Sequence, residues 1–351
     1  MTKPVLEVNQ LQTHFFTDRG EVPAVDNVSF AIHKGEVLGV VGESGCGKSV
    51  TSLSVMGLIP KPPGKIVGGE ILFRQKTTKE ETAEDLVSVS KKRMRQIRGN
   101  QIAMIFQEPM TSLDPLFPIG FQIIEGVKNH RKVSKKEGRS IAIDMLKLVG
   151  IPRAEQIVDE YPHQLSGGMR QRVMIAIAMS CDPEVLIADE PTTALDVTIQ
   201  AQILELMKKL NRDKGTAIMM ITHDLGVVAE MCDRVVVMYA GKVVEQGDVR
   251  TILKSPKHPY TQGLIRSLPK LDQRDKRLYS IPGNVPKPGS IKQGCRFAAR
   301  CSEVFDRCYK EDPELLELKE GHACRCFLYE SGFKKEDKKS GEGRGDEVMK
   351  P

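Results

Sequence analysis

The run Gly42-Glu43-Ser44-Gly45-Cys46-Gly47-Lys48-Ser49 constrains this chain more than any other stretch. It fits G-x-x-x-x-G-K-[ST], a loop whose glycines let backbone N–H groups turn inward around phosphate. Lys48 can place a positive charge on the β and γ phosphates, and the Ser49 hydroxyl can ligate Mg²⁺. A β-branched run, Val37–Val41, precedes the loop and an apolar helical pattern, Lys48–Leu58, follows it. The helix N-terminus then points its dipole at the bound anion. A chance glycine-rich turn would lack this strand–loop–helix context. Gly42, Ser44, Gly45, Gly47, Lys48 and Ser49 are therefore the expected phosphate-binding residues.

Such a loop needs an acidic partner at the end of a neighbouring strand. Val185-Leu186-Ile187-Ala188-Asp189-Glu190 supplies one. Acids in that position sit where parallel α/β sheets bind ligands. Asp189 can hold Mg²⁺ and Glu190 can polarise water as a general base.

From about residue 5 to 250, short β-branched runs alternate with helical patterns, which predicts α/β layers around a mostly parallel sheet. Strands are expected at Val37–Val41, Ile102–Phe106, Val185–Asp189, Ala217–Thr222 and Val235–Tyr239. Helices are expected at Lys48–Leu58, Ser140–Val149, Gly168–Ser180 and Thr198–Asn211. Ile199, Ile203, Leu206, Met207 and Leu210 fall on one face of the last of these.

The 351 residues exceed one typical domain, and 40% hydrophobic content supports a real core. A net charge of +6 is modest at this length. The basic cluster Lys91, Lys92, Arg93, Arg95 and Arg98 has no interleaved aromatic residue, so it reads as a solvated helix face and not a nucleic-acid surface. No apolar run approaches the roughly 20 residues of a membrane span, and no signal peptide is visible, so a cytoplasmic location is expected. After residue 250 the prolines Pro256, Pro259, Pro269, Pro282, Pro286 and Pro288 predict an ordered linker. Five cysteines crowd into 295–326, and the charged tail from Lys334 is expected to be disordered.

Leu165-Ser166-Gly167-Gly168-Met169, ahead of the Asp189 strand, resembles the signature motif of ABC-type ATPases. Gln107 is similar to that family's Q-loop glutamine, Ala194-Leu195-Asp196 to its D-loop, and His223 to its switch histidine. Phe15 is similar to the aromatic that stacks on adenine, with the adjacent Phe16 as alternative. The resemblance covers residues 5–250. It implies an ATPase domain with a helical subdomain at about 108–180, and a head-to-tail dimer. Each ATP would lie between Lys48 of one subunit and Ser166, Gly167 and Gly168 of the other. It further implies catalytic roles for Glu190, His223 and Gln107, and Mg²⁺ ligation by Ser49, Asp189 and Gln107.

Within that family, Gln107–Pro115, Lys257-His258-Pro259-Tyr260-Thr261 and Ile281–Pro286 are similar to the ATPases of dipeptide and oligopeptide importers. This implies an ATPase at the cytoplasmic face of the membrane, two permease subunits, and an external solute-binding protein reached only through them. The partner ATPase could be a homologue or a second copy. Nickel or glutathione import, or a soluble ATPase acting on nucleic acid, are the alternatives.

Cys295, Cys301, Cys308 and Cys326 are spaced C-x5-C-x6-C-x17-C. Four thiolates suit a [4Fe–4S] cluster or tetrahedral zinc, with free thiols or disulfides as the remaining reading. The resemblance favours [4Fe–4S] and picks Cys326 as last ligand, though Cys324 competes. Residues 251–330 are thus expected to form a small Cys-rich C-terminal domain.

Overall fold

The computed structural model describes residues 3–18, 20–75, 83–107, 112–193, 195–268 and 279–331. Glu108 to Thr111, Ala194, and the tail from Lys334 therefore lie outside the described residues.

Two sheets organise the chain. The larger one runs β11-β12-β10-β9-β3-β8-β7-β6. Its parallel heart is β6 (Ile102–Ile105), β7 (Val185–Asp189), β8 (Ala217–Thr222), β3 (Val37–Val41) and β9 (Arg234–Tyr239). These strands are buried on both faces, which is why they read as unbroken apolar runs instead of alternating ones. Leu186 and Ala188 face one core cluster, while Val185 and Ile187 face the other. The five strands expected from sequence all form, with ends shifted by no more than a residue.

The smaller sheet is antiparallel, in the order β2-β1-β4-β5 with β5 at Ala83–Asp85, and covers one face of the larger. Its strands β1 (Leu6–Thr17), β2 (Gly20–Ile32) and β4 (Gly64–Arg74) were not foreseen. Their burial is interrupted by register shifts near Gln10 and Thr13, which blur a period of two.

Helices Ile119–Lys128, Lys135–Leu148 and Gly167–Met179 pack together beyond the other face, around Ile119, Ile123, Ala142, Leu146 and Val173. Ser134 opens the second helix with a full capping box to Glu137. Helix Lys91–Ile97 presents Lys91, Lys92 and Arg95 to solvent, as expected. Arg98 instead donates to the Met56 and Gly57 carbonyls, closing the end of the loop's own helix.

A separate Cys-rich domain finds no support in the packing. Residues after 250 add β12 (His322–Cys324) to β10 (Lys242–Asp248), with Glu245 opposite Cys324, and β11 (Leu316–Lys319) outside it. Tyr260 and Phe297 enter the main core, leaving a small satellite cluster of Ala298, Phe305, Cys308 and Phe327. One buried side chain ties the segment to β10. Glu245 has no solvent exposure, and its carboxylate accepts from Lys257 N–H at 2.6 Å, His258 N–H at 2.9 Å and His322 Nε2 at 2.9 Å. A buried carboxylate demands such donors, and here they come from opposite ends of the segment.

Candidate active site

The phosphate-binding loop joins β3 to helix Lys48–Val55. Its glycines are obligatory for two different reasons. A Cβ on Gly42 (φ +153°) would lie 2.2 Å from the Met238 carbonyl oxygen. One on Gly47 (φ +103°) would lie 2.7 Å from the Ala24 carbonyl oxygen. Lys48 is buried and folds back, donating to the Gly42 carbonyl at 2.8 Å and to that of Glu43 at 3.2 Å. Those loop carbonyls stand in for phosphate oxygens, so an incoming phosphate needs only to replace them.

Asp189 ends β7 and is buried. The Ser49 hydroxyl hydrogen-bonds to it, yet Oδ1 has no partner. Burial pushes its carboxyl above the usual range, and Glu190 adds to the shift; the Ser49 bond and the Lys48 charge only partly offset it. An orphaned, desolvated carboxylate oxygen beside a hydroxyl fits a divalent cation, so Ser49 and Asp189 suit Mg²⁺.

Glu190 follows with φ +48°, a left-handed conformation costly for a non-glycine residue. Its N–H donates to the Ile221 carbonyl of β8 at 2.9 Å, which holds the turn. Three side chains converge on the carboxylate. Gln107 Nε2 donates to Oε2 at 3.0 Å, and so does the Thr193 hydroxyl at 3.0 Å. His223 Nδ1 lies 3.2 Å from Oε1. Burial raises the Glu190 pKa, but the bonds from His223 and Thr193 and the charges of His223 and Lys48 outweigh it. The carboxyl is held below its ordinary value. It is therefore ionised at neutral pH, as a base must be.

The structure thus brings Lys48, Ser49, Asp189, Glu190, Gln107 and His223 to one end of the parallel strands. Ser166 and Asp196 are instead helix caps. The Ser166 hydroxyl accepts from Met169 N–H at 3.3 Å, and Asp196 accepts from Ile199 N–H at 2.9 Å. Gly167 faces open space, whereas a Cβ on Gly168 would meet Ile199 Cγ2 at 2.8 Å. The first glycine leaves room for an approaching molecule and the second is needed for packing. Phe15 is half-buried, two residues after Thr13, whose hydroxyl lies 2.8 Å from that of Ser54 on the loop's helix. Phe16 is 48% exposed.

Sequence reasoning assigned no role to Thr193, Tyr260 or Arg300, which all touch the site. Tyr260 stood inside a quoted motif, but nothing in the motif pointed it at the loop. Its hydroxyl oxygen accepts from Glu43 N–H at 2.8 Å. Arg300 grips the Glu43 carboxylate with both Nη atoms, at 2.7 and 3.0 Å.

The expected four-cysteine centre finds no support in the geometry. All eight are free, and among the described residues no group of three or more His, Cys, Asp or Glu is placed to hold a metal ion. Burial pushes Cys295 to about 11 and Cys301 and Cys326 to about 12, with further upward pressure from neighbouring thiols. Cys295 and Cys301 pack against the main apolar core, and Cys295 also against the satellite cluster. Cys324, the competing ligand, is fully buried in β12 beside Glu245.

Comparison with known proteins shows the family. The ABC transporter family matches residues 25–193, and the oligopeptide/dipeptide transporter C-terminal region matches 244–308. The chain is 55% identical to the oligopeptide transport ATP-binding protein AppD of Bacillus subtilis (strain 168), over 93% of this chain and 97% of that protein. It is 48% identical to the dipeptide transport ATP-binding protein DppD of Escherichia coli (strain K12), over 92% and 96% respectively. A dimeric ATP-binding cassette solved in a post-hydrolysis state with ADP and Pi superposes with a TM-score of 0.60 at 27% identity, covering 70% of this chain and 99% of that one. The chain is an ATPase and belongs to the ABC transporter ATP-binding proteins, in the branch that carries the oligopeptide/dipeptide transporter C-terminal region.

Proposed function

We propose that this ATPase drives the import of dipeptides or oligopeptides through a pair of membrane permeases. Its likeness to oligopeptide and dipeptide transport ATP-binding proteins, C-terminal region included, supports it most directly, and the convergence of Gln107, Thr193 and His223 on Glu190 supports the hydrolysis. Lys48, freed from its loop carbonyls, binds the terminal phosphates. Glu190 accepts a proton from the attacking water, and His223 hydrogen-bonds the γ-phosphate as it leaves ADP. Gln107 orients the water and, with Ser49 and Asp189, would help hold the cation. Mg²⁺, when bound there, neutralises phosphate charge. ATP and water become ADP, phosphate and a proton.

Hydrolysis needs a second ATPase subunit, either homologue or copy, whose Ser166, Gly167 and Gly168 close over the γ-phosphate. The open face of Gly167 favours that approach. Asp196 lies at the same interface, and Phe15 is the adenine platform. In this reading the ATPase unit spans 1–250, with its helical subdomain at about 108–180, and 251–330 is the importer-type extension.

The permeases dock on the helical layer. Leu116 is 77% exposed there, and Phe117 and Phe121 stack in the open with centroids 4.7 Å apart. They adjoin a cleft of about 510 Å³ lined by Pro115, Leu116, Glu160, Tyr161 and His163. An exposed apolar patch beside a cleft suits a short amphipathic helix. Among the described residues no helix is long and apolar enough to cross a membrane, so attachment is peripheral. No feature favours nickel, glutathione or nucleic acid.

Peptide-stimulated ATP hydrolysis in liposomes containing the permeases and the solute receptor tests this function. Stimulation by nickel or glutathione, but not peptide, would overturn it. For the cysteines, the finer reading is a [4Fe–4S] cluster or zinc on Cys295, Cys301, Cys308 and Cys326. Its one support is that these thiols interact electrostatically. Iron, sulfide and zinc analysis after anaerobic purification decides it.

A further inference from the structure

Glu43 is an odd residue to find in a loop that receives a polyanion. It follows Gly42 directly, and the backbone carbonyls of the two residues hold Lys48. Left bare, this negative charge would repel the phosphates the loop is built to hold. It is not bare. Arg300 engages both carboxylate oxygens in a bidentate fork, and the arginine side chain is only 5% exposed. The same guanidinium donates to the Pro282 carbonyl at 2.8 Å and to the Tyr239 hydroxyl at 3.3 Å. Tyr260, packed against Tyr239 and Phe297, fixes the backbone of Glu43 from below.

The far end of the loop is braced from the same segment. Arg296 bonds to the Ala240 carbonyl and to Asp26. The neighbouring Gly241 N–H donates to the Cys46 carbonyl at 2.8 Å. Two arginines within one short turn thus reach both ends of the phosphate-binding loop.

We propose that Arg300 and Tyr260 are positioning residues of the nucleotide site, through which the C-terminal segment sets the loop's affinity for MgATP. Arg300 neutralises Glu43, and Tyr260 holds the Glu43 amide, so the loop meets its ligand preformed and uncharged at that position. This rests on the loop being the ATP site.

The test uses the purified full chain and MgADP and MgATP titrations. Arg300→Gln should weaken nucleotide binding about tenfold, raising KM for MgATP with a smaller change in kcat. Arg300→Lys should fall between this variant and the parent. Tyr260→Phe, which keeps the ring and removes one acceptor, should weaken binding about threefold. The double variant Glu43→Gln/Arg300→Gln should recover most of the loss, because the unbalanced charge is gone. A purely packing role for Arg300 predicts no recovery, and that result overturns the proposal. So does Arg300→Gln binding within about twofold of the parent. Should Arg300→Gln fail to fold, Arg300→Lys and Tyr260→Phe carry the test, and parent-like binding by both overturns it. Lys48→Ala separates the two readings. If it binds normally, the ATP site itself is misassigned; if it fails while Arg300→Gln binds normally, only the positioning role is lost.

Discussion

On the β7 side of the phosphate-binding loop, polar groups are left wanting. Asp189 Oδ1 is buried without a partner, Lys48 is satisfied only by its own loop, and Glu190 sits in a left-handed conformation. On the C-terminal side, Glu43, Tyr260, Arg300 and Glu245 are paired with one another or with backbone at ordinary distances. The first flank stores unmet demand that a ligand can satisfy. The second uses most of its polar groups to hold shape, with Gln246 Oε1 and Thr261 Oγ1 as its buried exceptions. Substitutions on the first flank should therefore appear in chemistry and binding, and those on the second in affinity and stability.

The largest expected effect breaks the first flank. Glu190→Gln keeps the size of the side chain and removes the base, so phosphate release should fall by roughly 10³-fold. ATP should still bind and should accumulate a stable dimer, visible by light scattering. Turnover at the parental rate would remove Glu190 from the reaction. Next, Lys48→Ala should weaken MgATP binding by about a hundredfold in a nucleotide titration, since charge-assisted contacts to phosphate are lost.

The second flank is probed through its buried carboxylate. Glu245→Ala strips the acceptor from three donors and should destabilise the fold by about 3 kcal/mol. A urea midpoint measured without nucleotide reads this directly, and a parental midpoint would show that Glu245 is not the stitch described above.

The most gradual effect concerns pH. Burial, and then the charge of Arg325, push the His258 pKa down from 6.5 to about 3. The unfolded chain takes up a proton below about pH 6.5 while the folded chain does not until about 3. Stability should thus fall as pH drops through this window, on the order of 1 kcal/mol per unit. His258→Asn should flatten that part of the pH profile in urea titrations.

Much of the first flank is legible in the sequence, because the loop, the strand acids and His223 sit at fixed offsets from apolar runs. Thr193 was missed because a threonine beside an expected base carries no spacing signal of its own. The N-terminal antiparallel strands were missed because their bulges break the alternation that identifies strands. The Cys-rich domain was expected from composition, yet β12 joins the main sheet. Clustering along the chain says nothing about which sheet edge lies nearby.

By itself, the sequence determined the local pattern: a glycine-rich phosphate loop, a strand that ends in two acids, and the apolar runs that place both at strand ends. These depend on neighbours within a few residues, so linear spacing carries them. Tertiary structure alone decided that Arg300 would neutralise Glu43 across 257 positions and that Glu245 would gather donors from 12 to 77 positions away. Those pairings arise because buried charges must find partners wherever the fold brings them, and sequence distance does not enter that requirement.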